Sequence, residues 1–241
     1  KARTYLPTNT WLNTDYITCV VNQSAWCNAT SGGGTINFYQ STYDCNNLGE
    51  IPGVALHEWG HSMDDYDGSG GDSRPVETRA DWTATLQTHD SCTGRGAFIS
   101  GVCDGYGDPC TDCSGIREAD RTKHTDTSPW TAANGDGDVY DCGGAGSYSG
   151  PCDWEDHCES GISTQALWEL VMTDLPALSS MDVTSAWMLV DRLFYSSMPT
   201  LGDMYTCTPP TSNGCGGASL YTTFRAIDDT GDGTANGTPN A

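Results

Sequence analysis

The sequence predicts an α+β fold in which short strands come first and helices follow. Residues 11–45 contain runs rich in β-branched and aromatic residues, whereas helical patterns dominate from residue 52 onward. With 241 residues, the chain is long enough for two lobes that share a cleft. We expect a small N-terminal β-rich lobe with the first helix over residues 1–68 and a mainly helical C-terminal lobe over residues 69–241. Together they would form one unit.

The individual elements follow from local patterns. Two strands are predicted at "YITCVV" and "TINFYQ", with the turn sequence "SGGG" between them. A helix is expected from Pro52 to Met63, because proline suits a first helical turn, and a second helix carries Pro75 in the same role. The later helices are "GISTQALWELVMTDLP" and "DVTSAWMLVDRLFYSSM". Residues 91–158 are rich in Gly, Asp, Ser and Cys and are predicted to form long loops.

The charge balance excludes several classes of partner. The chain has 32 acidic and 10 basic residues and a formal net charge of -22. Nucleic acids and anionic membrane surfaces need basic patches, so neither is an expected partner. No apolar run approaches the roughly 18–20 residues that a membrane-spanning helix requires, so we expect no membrane insertion.

The cysteines indicate an oxidising compartment. There are 12 of them, spread along the chain and flanked by loop residues. An even number in such loops is typical of disulfides, and we expect up to six. The pair in "CTDC" has no second CxxC partner, so a zinc ribbon is not expected. The chain is therefore predicted to be secreted, as a mature form whose leader has been removed.

The segment "HEWGH" contains the strongest chemical motif. His57 and His61 are four residues apart, so on a helix both side chains project from one face toward a single metal ion. Neutral imidazoles suit Zn²⁺, but a catalytic site normally has three protein ligands plus water. Glu58 is next to the first histidine, where it can take a proton from a zinc-bound water without binding the metal.

Two carboxylates compete for the role of third ligand. Asp67 is six residues after His61, where metzincin-type proteases place their last ligand, although Asp64 stands where that arrangement has a glycine. Glu77 is on the following predicted helix, and Asp81 is four residues further on, so one can bind the metal while the other orients a histidine. The residue pattern alone leaves both alternatives open.

The combined motifs resemble the gluzincins, the thermolysin-like zinc metallopeptidases. HExxH is followed by the ExxxD pattern, and "HCESGISTQALWEL" is similar to that family's H-x-x-S-G-I segment. The resemblance implies a zincin-like two-lobed fold with zinc bound by His57, His61 and Glu77, and Asp81 would orient His57. Glu58 would be the general base, and His157 would stabilise the oxyanion. The cysteine content is similar to that of secreted bacterial relatives, and cysteine-rich loops are foreign to thermolysin itself.

Gly-rich acidic loops are candidates for calcium, because alternating oxygen ligands are what Ca²⁺ loops use. Secreted gluzincins often carry calcium, which favours this interpretation. The candidate ligands in "NGDGDVYD" and "DDTGDG" are Asn134, Asp136, Asp138, Asp141, Asp228, Asp229 and Asp232.

The sequence thus predicts a secreted zinc metalloendopeptidase that acts on proteins or peptides, with Ca²⁺ as a second candidate cofactor. One alternative is a non-catalytic surface or filament-forming protein, stabilised by disulfides and calcium, that retains a peptidase fold. The other is a metzincin-like protease with Asp67 as third ligand. An intact set of ligands together with Glu58 favours the enzyme, because a non-catalytic descendant has no need for the base.

Overall fold

The computed structural model describes residues 1–69, 74–99, 110–130, 155–208, 211–213 and 220–231. It has the expected α+β, two-lobed architecture, with a small mixed sheet next to a larger helical lobe. The helices are α1 Ala2–Tyr5, α2 Thr10–Thr14, α3 Pro52–Tyr66, α4 Val76–Thr88, α5 Asp156–Glu169, α6 Leu175–Ser179, α7 Val183–Ser197 and α8 Leu220–Gly231. The strands are β1 Thr18–Gln23, β2 Ala29–Gly32, β3 Thr35–Tyr39, β4 Cys92–Thr93, β5 Arg117–Glu118, β6 Thr206–Thr208 and β7 Thr211–Asn213.

The N-terminal sheet has the strand order β1-β3-β2. The β1 strand is parallel to β3, and β2 is antiparallel to it. The central strand buries Ile36 and Phe38 against Leu48 and Val54. Sequence analysis did not predict β2, because its serine and glycine residues resemble a turn. Its antiparallel pairing with β3 leaves β2 at the edge of the sheet, and its residues line a cleft beside α3.

Helices α3 and α4 pack against each other very closely. A Cβ atom on Gly60 would lie 2.6 Å from Cα of Ala80 and 3.1 Å from the carbonyl oxygen of Arg79. Only glycine therefore allows this approach of the two backbones. The α4 helix is central, with every residue from Glu77 to Leu86 buried. Pro75 precedes it in extended conformation rather than occupying its first turn.

The helical lobe forms one large apolar core. Trp82, Leu86, Leu167, Val190 and Phe194 are among its buried side chains. A π-helical segment, Leu170–Asp174, joins α5 to α6, so the helix predicted over residues 161–176 is interrupted. The predicted division at residue 68 assigns the first residues to the N-terminal lobe, yet their apolar side chains Ala2, Leu6 and Leu12 pack in this helical core.

Disulfides staple the irregular segments. Cys27 is bonded to Cys45, and Cys92 is bonded to Cys113. The second bond includes Cys113 of the "CTDC" pair, so the sulfur of this residue is not available as a metal ligand. Cys110 and Cys158 are also disulfide-bonded, whereas Cys19 is an exposed free thiol. In the described part of the chain, no helix is long and apolar enough to cross a membrane.

Candidate metal centre

The α3 helix places the two histidines of HExxH side by side. They occupy successive turns of the helix, and their Nε2 atoms are 3.2 Å apart. His57 is buried, and His61 is partly exposed to the cleft. Pro52 begins the helix, and the absence of a side chain at Gly60 allows the helix to pack closely against α4.

Glu77 provides the third potential ligand from the first turn of α4. Its Oε2 is 3.1 Å from Nε2 of His57, and its Oε1 is 3.5 Å from Nε2 of His61. In tetrahedral coordination with bonds of about 2.0–2.1 Å, two ligand atoms are separated by about 3.3 Å. All three measured separations lie close to that value. The donor set of two imidazoles and one carboxylate therefore fits a zinc ion.

Asp81 fixes the orientation of His57. Its Oδ1 is 2.9 Å from Nδ1 of His57, so this carboxylate accepts a hydrogen bond from Nδ1–H, and Nε2 faces His61 and Glu77. Asp81 in turn accepts from Nε and Nη2 of Arg117, at 2.9 and 2.7 Å, and from Oγ of Ser160 at 3.0 Å. This is the carboxylate–histidine arrangement that orients zinc ligands in many metal sites.

The buried charges shift the pKa values of the ligands in opposite directions. Burial lowers the pKa of His57, but hydrogen bonds to Asp81 and Glu77 outweigh it and raise that pKa to about 10. Burial dominates at His61 and lowers its pKa to about 4. Burial alone would raise the pKa of both carboxyls, yet His57 and Arg117 hold Asp81 at about 2 and Glu77 well below its usual value. A protonated His57 and the Arg117 guanidinium together offset the charges of Asp81 and Glu77.

Glu58 faces the cleft beside these ligands. Its side chain is buried, and it lines the same cavity as His57, His61 and His157. Burial raises its pKa, a shift that nearby His57 partly offsets. A carboxylate with a raised pKa is a better proton acceptor at neutral pH than an exposed glutamate. The cavity has a volume of about 860 Å³ and takes walls from β2, α3, α4 and β5.

His157 approaches the site from the first turn of α5. Its Nε2 is 3.2 Å from Oε1 of Glu77, and its Nδ1 is paired with Glu155, the N-cap residue of that helix. The ring is partly exposed to the cleft. The structure therefore brings five of the predicted site residues together around one cavity, namely His57, Glu58, His61, Glu77 and His157. The sixth, Asp81, is buried behind His57.

Asp67 is engaged elsewhere. It is buried and forms an ion pair with Arg79, which also pairs with Asp64 at 2.8 Å. Among the described residues, two groups of side chains lie close enough to hold a metal ion, and neither includes Asp67. One is His57, His61 and Glu77, and the other is Glu118 with Cys92 and Cys113, whose sulfurs are joined in a disulfide. The metzincin-like alternative thus has no support in this geometry, because the guanidinium of Arg79 holds the aspartate.

The candidate calcium ligands separate into two groups. Asn134, Asp136, Asp138, Asp141 and Asp232 lie outside the described residues. Asp228 and Asp229 are in the last turns of α8 rather than in the loop expected for them. Oδ1 of Asp228 accepts from Nη2 of Arg192 at 3.2 Å. The assignment of calcium to these acidic segments stays a prediction.

Arg117 is a site residue that sequence analysis missed. It is buried on β5, with its guanidinium against Asp81 and with Nη2 3.4 Å from Oε2 of Glu77. A lone arginine in a cysteine-rich, loop-like segment carries no local signal of this role. The surplus of acidic ligands offers an indirect one, because buried carboxylates require a cation nearby.

Comparisons with known proteins agree with this geometry at the level of fold. No family model and no curated protein matches the sequence. Among solved structures, the chain resembles the precursor of protealysin, a metalloproteinase from Serratia proteamaculans, with a TM-score of 0.58 at 16% identity. The match covers 94% of this chain and 67% of that one. The chain therefore shares the fold of that structure over most of its length.

Proposed function

We propose that this protein is a zinc-dependent endopeptidase. The observation that carries the proposal is the convergence of His57, His61 and Glu77 at tetrahedral spacing, with Glu58 in the same cleft. Zinc held there would polarise a peptide carbonyl and lower the pKa of a bound water. The metalloproteinase with a similar fold is a supporting observation. The disulfides support action outside the cell.

The residues of the chain would divide the chemistry as follows. Glu58 accepts a proton from the attacking water and returns it to the leaving amine, a role for which burial in the cleft prepares it. His157 donates a hydrogen bond to the oxygen of the attacked carbonyl, where negative charge develops. Asp81 and Arg117 keep His57 in one tautomer and one orientation.

Replacement of the general base tests this proposal. Glu58→Gln removes the proton acceptor but preserves the size of the side chain and all three ligands. We expect unchanged zinc content and a loss of casein hydrolysis of about 100-fold or more. The matched control is Glu50→Gln, an exposed glutamate at the end of the short 3₁₀ helix before α3, which should keep full activity. Normal cleavage by the zinc-loaded Glu58→Gln protein would sink the mechanism.

A further inference from the structure

Two exposed aromatic side chains lie at the end of the cleft beside β2. Trp26 is 57% exposed and Tyr43 is 77% exposed. Their rings are in contact, with centroids 5.0 Å apart and an edge-to-face angle of 81°. Exposed aromatic rings do not gain the free energy that burial of apolar surface provides. Contiguous exposed apolar side chains are therefore a common feature of binding surfaces. Of the two, Trp26 is also part of the cleft wall.

The chain holds this pair in a fixed position. Each aromatic residue is close to one half-cystine of the Cys27–Cys45 disulfide. Tyr43 lies in a tight turn closed by Thr42 and Cys45, in which the Thr42 amide donates to the Cys45 carbonyl at 2.9 Å. The Ile99 amide donates to the carbonyl of Asp44 at 2.8 Å. Binding to a rigid platform loses less conformational entropy than binding to a mobile loop.

Trp26 precedes β2, and β2 contacts the helix that carries His57 and His61. Oγ of Ser31 is 2.9 Å from Oγ of Ser62, the residue after His61. Trp26 is five residues before Ser31, and a chain covers at most about 3.3–3.6 Å per residue. The Cα of Trp26 is therefore at most about 17–18 Å from the Cα of Ser31. Trp26 and the histidines line the same cavity, and an extended peptide covers this maximum distance in about five residues.

We propose that Trp26 and Tyr43 form a substrate subsite, which selects peptides with an aromatic or large apolar side chain several residues from the scissile bond. This inference rests on the proposed peptidase function. The two rings can pack edge-to-face or offset against such a substrate side chain. A peptide that lacks this side chain loses the apolar contact and binds less tightly in the transition state. Trp26 and Tyr43 are thus specificity-determining residues, and neither has a role in the chemical step.

The test compares peptides that differ at one residue. Fluorogenic peptides with one common cleavage sequence carry either Phe or Ser at three to five residues from the scissile bond, on each side in turn. For the zinc-loaded protein we expect kcat/KM to favour Phe by about ten-fold at one of these positions. Trp26→Ser and Tyr43→Ser should each bring the Phe-to-Ser ratio close to one, and Trp26→Phe should retain most of it.

A surface tyrosine outside the cleft provides the control. Tyr16 is 94% exposed and does not line the cavity, so Tyr16→Ser should keep the wild-type ratio. Unfolding temperature and zinc content confirm that each variant is folded. An unchanged ratio in folded Trp26→Ser and Tyr43→Ser, or no preference for Phe in the wild type, overturns the subsite.

A failure of the proposed function has a different outcome. If the zinc-loaded wild type cleaves none of the peptides, the endopeptidase assignment fails, and calorimetric binding of the same peptides then tests the subsite. A lower Kd for the Phe peptide that is lost in Trp26→Ser supports the aromatic platform as a peptide-binding surface. Equal Kd values for the Phe and Ser peptides overturn it.

Discussion

At the level of single residues, the geometry of the candidate metal centre depends on the hydrogen bonds of Asp81. This carboxylate accepts hydrogen bonds from Nδ1 of His57, from Arg117 and from Ser160. It is completely buried and stays ionised because the cation and the imidazole compensate for the lost hydration. The orientation of His57, one of the proposed zinc ligands, is therefore tied to the charge of Asp81, which is not itself a proposed ligand.

Asp81→Asn should weaken zinc binding by about 10–100-fold. The neutral amide is a weaker acceptor for the hydrogen bond from Nδ1–H of His57, and it leaves Arg117 without its main ion-pair partner. Competition with a chromophoric chelator measures the affinity. Ser160→Ala is the matched control, since it removes one hydrogen bond to the same carboxylate but no charge, and its loss should be smaller. Equal zinc affinity in wild type and Asp81→Asn would show that Asp81 has no part in ordering the ligand.

Zinc binding should release a proton from His57. Without metal its pKa is raised to about 10, so at pH 8 this imidazole is protonated, whereas His61, with a pKa of about 4, is neutral. Zinc needs the lone pair of both. We expect release of about one proton per zinc ion at pH 8 and an affinity that rises about ten-fold per pH unit up to the His57 pKa.

The same shift has a consequence for the metal-free protein. A raised pKa in the folded state means that the stabilisation from His57 is complete below its unfolded pKa of about 6.5 and is lost as the pH rises toward 10. Calorimetric titrations with zinc in buffers of different ionisation enthalpy give the number of protons released. A value of zero at pH 8 would contradict the charged His57.

At the level of elements, the spacing of α3 and α4 sets the distance between the histidines and Glu77. Gly60 is at the contact, and any Cβ there would meet the backbone at Ala80. A backbone cannot move aside as a flexible side chain does, so the helices would have to separate. The three proposed ligands come from both helices, so a change in the separation of the helices is expected to affect the stability of the fold and zinc binding together.

Gly60→Ala should lower the free energy of unfolding by about 1–3 kcal/mol and weaken zinc binding in the same variant. Denaturant unfolding of the metal-free protein and chelator competition measure the two effects. Gly202→Ala is the control, because a Cβ at Gly202 would meet no atom within 4 Å, so both quantities should stay near the wild-type values. Wild-type stability of Gly60→Ala would mean that the two helices are not held at this distance.

The sequence predicted those elements whose patterns are local. The α3 and α7 helices were visible because apolar residues recur at helical spacing, and the pairing of His57 with His61 follows from that geometry alone. Glu77 and His157 were identified by resemblance to gluzincins, since only the tertiary fold brings α4 and α5 to α3. The β2 strand and Arg117 were missed, because their roles come from pairing partners and buried charges far away in sequence.

At the level of the whole molecule, the centre is assembled from both lobes. The candidate site residues from His57 to His157 come from α3, α4, β5 and α5. The sheet contributes to the lining of the cleft through β2. No segment of this chain could build the site alone, so the packing of the lobes and the chemistry of the cleft depend on each other.

The net charge of -22 should act on substrates before they reach the cleft. A strongly negative field raises the local concentration of cationic peptides and repels anionic ones, which changes association rates by about 10–1,000-fold in steered systems. We expect kcat/KM for a Lys-flanked peptide to exceed that of its Glu-flanked counterpart by about ten-fold or more at 0.01 M ionic strength, where the Debye length is about 30 Å.

The salt dependence separates this field from direct contacts. At about 1 M the Debye length falls to about 3 Å, so the two kcat/KM values should converge as the screened field vanishes. A Gln-flanked peptide serves as the control, and its kcat/KM should change little with salt. If the preference for the Lys-flanked peptide were the same at both salt concentrations, close ion pairs inside the cleft, which salt screens much less, would be its cause. The long-range field of the acidic surface would then have no measurable part in substrate selection.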